Sequence, residues 1–198
     1  MIETKDFGDY CVKAVKSFEG SDGYGFNANL YRGKKKIAFV RDMGCGGEVD
    51  IDWLIEKLPK PEREYDSEKE YKKAWAKYKA ERQEEIDLLK AHVATLPSVK
   101  SNFFPDQPLK IDMGWFITDC VSKWELDKEV KKIAKQCKTK TLFRTPTHNS
   151  GQYASLNHVC DDRVRDHLRM RYGNDVEIFN DIIEQGKVPS VFVSLHQR

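Results

Sequence analysis

Arg163, Arg165, Arg169 and Arg171 stand in one short run of the sequence, with His167 among them. Guanidinium groups hold phosphate or carboxylate through paired N–H donors, so this run is a candidate contact for nucleic acid or an acidic partner. From about Cys160 to Tyr172 the periodicity predicts a helix. Val164, Leu168 and Tyr172 form its apolar stripe, and Arg165 and Arg169 share a face at i, i+4. Asp161 and Asp162 suit its first turn and Gly173 its end. Arg144 and His148 extend the basic set if the fold brings them alongside. The competing reading is a solvated face balanced by Asp161, Asp162 and Asp166, and the sequence leaves both open.

A second candidate is the loop Gly44-Cys45-Gly46-Gly47, which follows a predicted strand. Glycine-rich loops after strands can wrap phosphate with backbone N–H groups, and Lys36 and Arg41 are the cations that would assist. The phosphate-loop lysine and hydroxyl are missing, however. Counting from Gly44 and Gly46, the third glycine of a dinucleotide fingerprint falls where Val49 stands. The loop therefore reads first as a flexible turn, with phosphate contact the lesser reading.

Metal and nucleophile chemistry find less support. His158 and Cys160, with His148, Cys137 and Cys120, carry ligand types for zinc, yet their spacing lacks the close pairs that zinc sites use. The expectation is no metal and no cofactor. A Cys–His pair assembled in space stays open, because such pairs need no sequence spacing. Ser150-Gly151 and Ser155 sit in no nucleophile elbow. The sequence reads as a binding protein before an enzyme.

Composition limits the partners. Of 198 residues, 34 are Lys or Arg and 32 are Asp or Glu, a formal charge of +2, so any electrostatic binding must come from local patches. Ten phenylalanines, eight tyrosines and four tryptophans supply a core. No apolar run approaches the roughly 20 residues that cross a bilayer, and Met1–Asp6 has no apolar signal character. Five cysteines at irregular spacing, without a Cys-x-x-Cys pair, read as free thiols in a reducing compartment. The expected location is cytoplasmic.

The elements that must position these residues predict an α+β fold. It consists of a small antiparallel sheet packed with two or three helices, in a single domain 1–198 with 60–110 as a helical insertion. Phe26–Tyr31 and Lys36–Arg41 flank a turn at Gly33 and form a hairpin. Cys11–Phe18 is the third strand, although Phe7, Cys11, Ala14 and Phe18 also fit one helix face. Asp50–Ile55 reads as a short helix ended by Pro59 and Pro61. A long amphipathic helix follows over 66–96, capped by Asp66 or Ser67 and placed to fold back on the next helix or pair with a second copy in a homodimer. Phe103 and Phe104 occupy the loop after it. A helix over 113–136 and a strand over 140–145 come next, then short apolar segments at 176–179, 182–183 and 191–193.

Two blocks carry a resemblance. Phe26-x-Ala28-x-Leu30-Tyr31-x-Gly33-Lys34-Lys35-x-x-Ala38-x-Val40 with Gly44-x-Gly46-Gly47 is the first. Val164-Arg165-x-x-Leu168, Tyr172-Gly173 and Val176-x-Ile178-Phe179-Asn180 form the second. Together they resemble a group of uncharacterised phage and prophage proteins, over about a third of the chain. The group carries no established activity, so the resemblance implies a setting and no catalytic residues. The leading expectation is a phage-encoded accessory protein that antagonises a host process, including an immune system, by binding a host protein or nucleoprotein. Direct nucleic-acid contact is included and membrane binding is not. The alternatives are a nucleotide-binding protein or small enzyme acting at loop 44–47, and a virion or assembly component.

Overall fold

The computed structural model describes residues 6–99, 108–149 and 151–193. The loop residues Phe103, Phe104 and Pro105, and Ser150, lie outside them. The fold is α+β, as its composition of elements predicts. Contacts divide the chain into two compact units, one running to Trp124 and the other from Glu125 onward. The sequence reading has a single domain instead.

In the first unit, β1 (Tyr10–Glu19), β2 (Tyr24–Arg32), β3 (Lys35–Asp42) and β4 (Asp50–Trp53) form an antiparallel sheet in that order. The β2–β3 connection is two residues, and Gly33 at φ 60° supplies the left-handed backbone such a turn needs. Strict alternation in β2 buries Phe26, Ala28 and Leu30 and turns Asn27, Asn29 and Tyr31 away from the core. The segment expected to open a helix at Asp50 is instead β4, paired with β3 from Ala38↔Trp53 to Arg41↔Asp50. Its four residues alternate Asp, Ile, Asp, Trp, a period of two. A 3₁₀ turn follows only at Ile55–Lys57.

The expected 66–96 helix runs as α1 (Glu68–Ala94), and Ser67 caps it by accepting from the Glu70 N–H at 3.3 Å. Its second half is part of the sheet's own core. Leu89 and Val93 join Tyr10, Leu30, Val40 and Trp53, together with Phe116, Ile117 and Cys120 of α2 (Met113–Cys137). Each fully buried side chain such as Leu89 or Phe116 contributes about 2 kcal/mol. The first half is held differently. Tyr65, Tyr71, Trp75 and Tyr78 form a ladder of tilted and edge-on rings, and the Tyr78 hydroxyl donates to the Trp53 carbonyl at 3.1 Å.

Glu85 of α1 is wholly buried, and it locks helix to sheet. Arg32 approaches it in a fork, both nitrogens at 2.9 Å, and Lys35 adds a contact of 2.5 Å. Burial pushes the Glu85 carboxyl up, but the hydrogen bonds from Arg32 and Lys35 outweigh it and leave the group below its ordinary value of 4.5.

In the second unit, β5 (Thr141–Arg144) lies between β6 (Ala154–Leu156) and β7 (Glu177–Ile178), all antiparallel. On one face Phe143 and Ile178 pack with Leu168 of α3 (Asp162–Tyr172). On the other, Leu142 packs with Ile133 of α2, Phe179 of α4 (Phe179–Glu184), and Val191 and Phe192 of α5 (Ser190–Val193). Asn180 fastens that side. Its amide oxygen accepts from the Leu142 N–H at 3.0 Å, and its nitrogen donates to the carbonyls of Cys137 at 2.9 Å and Lys140 at 3.0 Å.

Two outcomes follow. Glu85→Ala strands two cations that keep about a third of their surface in water, so the loss is about 3 kcal/mol, near the low end for breaking a buried pair. Because the folded carboxyl titrates below its unfolded value, this stabilisation is complete above about pH 4.5 and fades as pH falls further. Denaturant melts at pH 7 and pH 3 should therefore show the wild-type advantage over Glu85→Gln shrinking at the lower pH. Asn180→Asp turns both donors into a carboxylate facing two carbonyls, and should cost about 3 kcal/mol, a fall of roughly 6–12 °C in Tm by calorimetry.

Candidate functional site

Helix α3 is set by its ends. The Asp161 carboxylate accepts from the Val164 N–H at 2.9 Å, and Gly173 closes the helix at φ 83°. Val164 and Leu168 face the core, which fixes where every arginine points. Arg165 turns inward. It bonds Asp181 of α4 at 2.8 Å and Asp162 at 3.0 Å, with Glu184 at 4.0 Å. The Asp181 hydrogen bond raises its guanidinium above arginine's ordinary range. Arg169 is half-exposed and stands 3.9 Å from the same Asp181.

The outward stripe consists of Arg163, His167 and Arg171 at i, i+4, i+8, all exposed. Met170 lies beside them with 85% of its surface in solvent, and the Arg171 guanidinium sits 5.4 Å from the Tyr172 ring centre. His148 is connected to the C-terminal end of this helix only through Phe143. Its ring meets Phe143 edge-on at 6.4 Å, Phe143 lies 5.5 Å from Tyr172, and its Nδ1 accepts from the Thr145 N–H at 3.1 Å.

Arg144 does not join them. It follows Phe143 in β5 and so faces the opposite side of the sheet, where Nη1 donates to Ser190 Oγ at 2.9 Å opposite Glu177. The Ser190 N–H and hydroxyl both bond Glu177, at 2.6 and 2.5 Å. Arg144 therefore secures the start of α5.

The second candidate set is dispersed too. Lys36 pairs with Glu56, and Arg41 lies 3.3 Å from Asp50. An indentation of about 50 Å³ beside Lys36, lined by Ile37, Ala38, Leu54, Glu56 and Lys57, has room for a few waters and not for a nucleotide. Loop glycines serve packing. The Asp22 N–H donates to the Gly44 carbonyl at 2.8 Å, and the Gly44 N–H is taken by the Asp42 carboxylate at 2.8 Å. Gly44, at φ 64°, is pressed so closely on the β1–β2 turn that a Cβ there would lie 2.8 Å from the Gly25 nitrogen. Gly46 and Gly47 are exposed.

Three of the five thiols are held back by burial. Burial pushes the Cys120 thiol up to about 12 and Cys137, beside Cys160, up to about 11, and it raises Cys160 as well. None of the three is a ready thiolate at neutral pH. Cys11 and Cys45 are exposed. Among the described residues no group of three or more His, Cys, Asp or Glu side chains is placed to hold a metal ion, and no helix is long and apolar enough to cross a membrane.

No protein-family model, curated protein or solved structure matches the chain.

The loop geometry makes a graded prediction. Gly44→Ala meets both the left-handed φ and a backbone contact and should cost about 3 kcal/mol. Gly46→Ala, also left-handed at φ 74° but with its nearest neighbour at 3.9 Å, should cost about 1 kcal/mol. Thermal melts of the two variants check the order.

Proposed function

We propose that the chain is a non-catalytic binding protein that docks the exposed α3 stripe against an acidic surface of a host protein or nucleoprotein. In this reading it is a phage-type accessory protein, as the two sequence blocks resemble, acting in the host cytoplasm to antagonise a host process. The observation that carries it is the pairing of Arg163 and Arg171 with an 85%-exposed Met170 on one face of a helix. Arginine and methionine are both enriched at protein interfaces, and a flexible thioether between two cations serves a contact better than it serves solvation. Arg165 supports the reading indirectly. Held by Asp162 and Asp181, it fixes the helix so that the outer stripe is presented without further ordering.

The test is a tagged capture from nuclease-treated bacterial host lysate, with wild type beside the double variant Arg163→Glu/Arg171→Glu. The expected result is a stoichiometric partner retained by wild type and reduced at least tenfold by the variant, with Tm unchanged within about 2 °C, since both side chains are solvated. Equal recovery of that partner by both proteins removes α3 from the account.

A further inference from the structure

We propose that the open face of the four-stranded sheet is a platform for single-stranded nucleic acid, a second surface built from residues other than those of α3. The register of the sheet lays this face out in rows. Cys11, Tyr31 and Lys36 form one row. Lys13, Asn29, Phe39 and Asp52 form the next, and Lys16, Asn27, Arg41 and Asp50 the third. Beyond them the Phe18 ring lies over Gly25, close enough that a Cβ there would meet its edge at 2.5 Å. None of Tyr31, Phe39 and Phe18 belongs to the core cluster on the other side, and all three are partly exposed. They span roughly 20 Å along the strands.

Charge on this face is polarised. At its edges Lys13 and Lys16 stand on β1 and Asp50 and Asp52 on β4. Between them lie aromatic rings, amides and the β3 cations Lys36 and Arg41, which are paired with Glu56 and Asp50. Asp52 and Asp50 end the second and third rows at the edge farthest from Lys13 and Lys16. Such an arrangement fits a chain with phosphates along one side and flat, hydrogen-bonding bases along the other. Phosphates run beside Lys13 and Lys16, bases stack on Tyr31, Phe39 and Phe18, and Asn29 meets base edges. The acidic edge at β4 repels the backbone and sets which way the bases point. Stacking on rings requires unstacked bases, which selects a single strand over a duplex.

A local irregularity in β1 makes the basic side. Lys13 pairs with Asn29 and Lys16 with Asn27, so three steps on β1 match two on β2. In a regular strand, residues three apart point to opposite faces. The bulge, with Ala14 held at φ 53°, returns Lys16 to the side that Lys13 occupies. A left-handed alanine is unfavourable in itself, and strain of this kind clusters where a side chain is being aimed. Lys13 already lies 4.3 Å from the Tyr31 ring centre, against the aromatic surface a base would share.

The experiment is fluorescence anisotropy of the full chain with labelled 15-mers of uridine (RNA) and thymidine (DNA), and with a duplex, at several salt concentrations. Expected is saturable binding of a single strand, weaker for duplex, with a log–log salt slope near −2 for about three phosphate contacts. Lys13→Glu/Lys16→Glu should weaken it at least tenfold. Phe39→Ala should weaken it about tenfold, and Phe39→Leu, which keeps an apolar side chain for folding, by a similar factor. Arg163→Glu/Arg171→Glu should leave it unchanged, so failure here and failure of the α3 reading are told apart. The uridine and thymidine strands differ in sugar and in the base methyl group, and preference for either supports the platform. No binding at 100 µM protein and about 50 mM salt, insensitivity to Lys13 and Lys16, or equal competition by polyglutamate would overturn it.

Discussion

A buried carboxylate decides how the first unit is built. Glu85 sits at the middle of a long charged helix, and water would suit it better than the interior unless cations came with it. Arg32 and Lys35, the two residues either side of the β2–β3 turn, supply them. The hairpin end is thereby tied to one point of α1, and the apolar residues Leu89 and Val93 fall onto the sheet beside it. Hydrophobic burial supplies most of the energy, while the ion triad sets which register of helix on sheet is allowed. The opposite face of the sheet keeps its polar and aromatic side chains free of the core as a result.

The second unit solves a similar problem with a neutral side chain. Asn180 reaches one N–H and two carbonyls where α2 gives way to β5, so the end of a helix and the start of a strand are joined by a single amide. Arg165 adds the outer fastening of α3 to α4. In both units, then, the charged residues that look most available in the sequence divide into those that hold the fold and those left for solvent. What separates them is a long-range partner.

This explains how far the sequence could be read. The β2–β3 hairpin was legible because Gly33 and the alternation of Phe26, Ala28 and Leu30 are local signals. The first strand was ambiguous for a physical reason: Phe7, Cys11, Ala14 and Phe18 fit a helix face by spacing, and the bulge between Lys13 and Lys16 breaks the period of two that would mark a strand. Asp50–Trp53 is too short for its period of two to stand out beside Leu54 and Ile55. Glu85 was invisible among the acids of α1, since its partners are 53 and 50 positions away. Arg165 and Arg144 stood among the candidate contacts for the same reason, because Asp181 and Ser190 enter only through the tertiary fold. The exposure of Arg163 and Arg171 was within reach of the helical periodicity, but the opposite orientation of Arg144 was not.

The irregular first strand also bears on self-association. β1 is an edge of its sheet and, at ten residues, long enough to offer a run of unpaired backbone groups to a second chain. Its register break divides that run into Tyr10–Lys13 and Lys16–Glu19, with a kink between them and a lysine at each side of it. Neither stretch is a flat template for cross-chain pairing. A small protein with an exposed aromatic sheet face carries a standing tendency to stack edge to edge, and in this chain the strained alanine works against it.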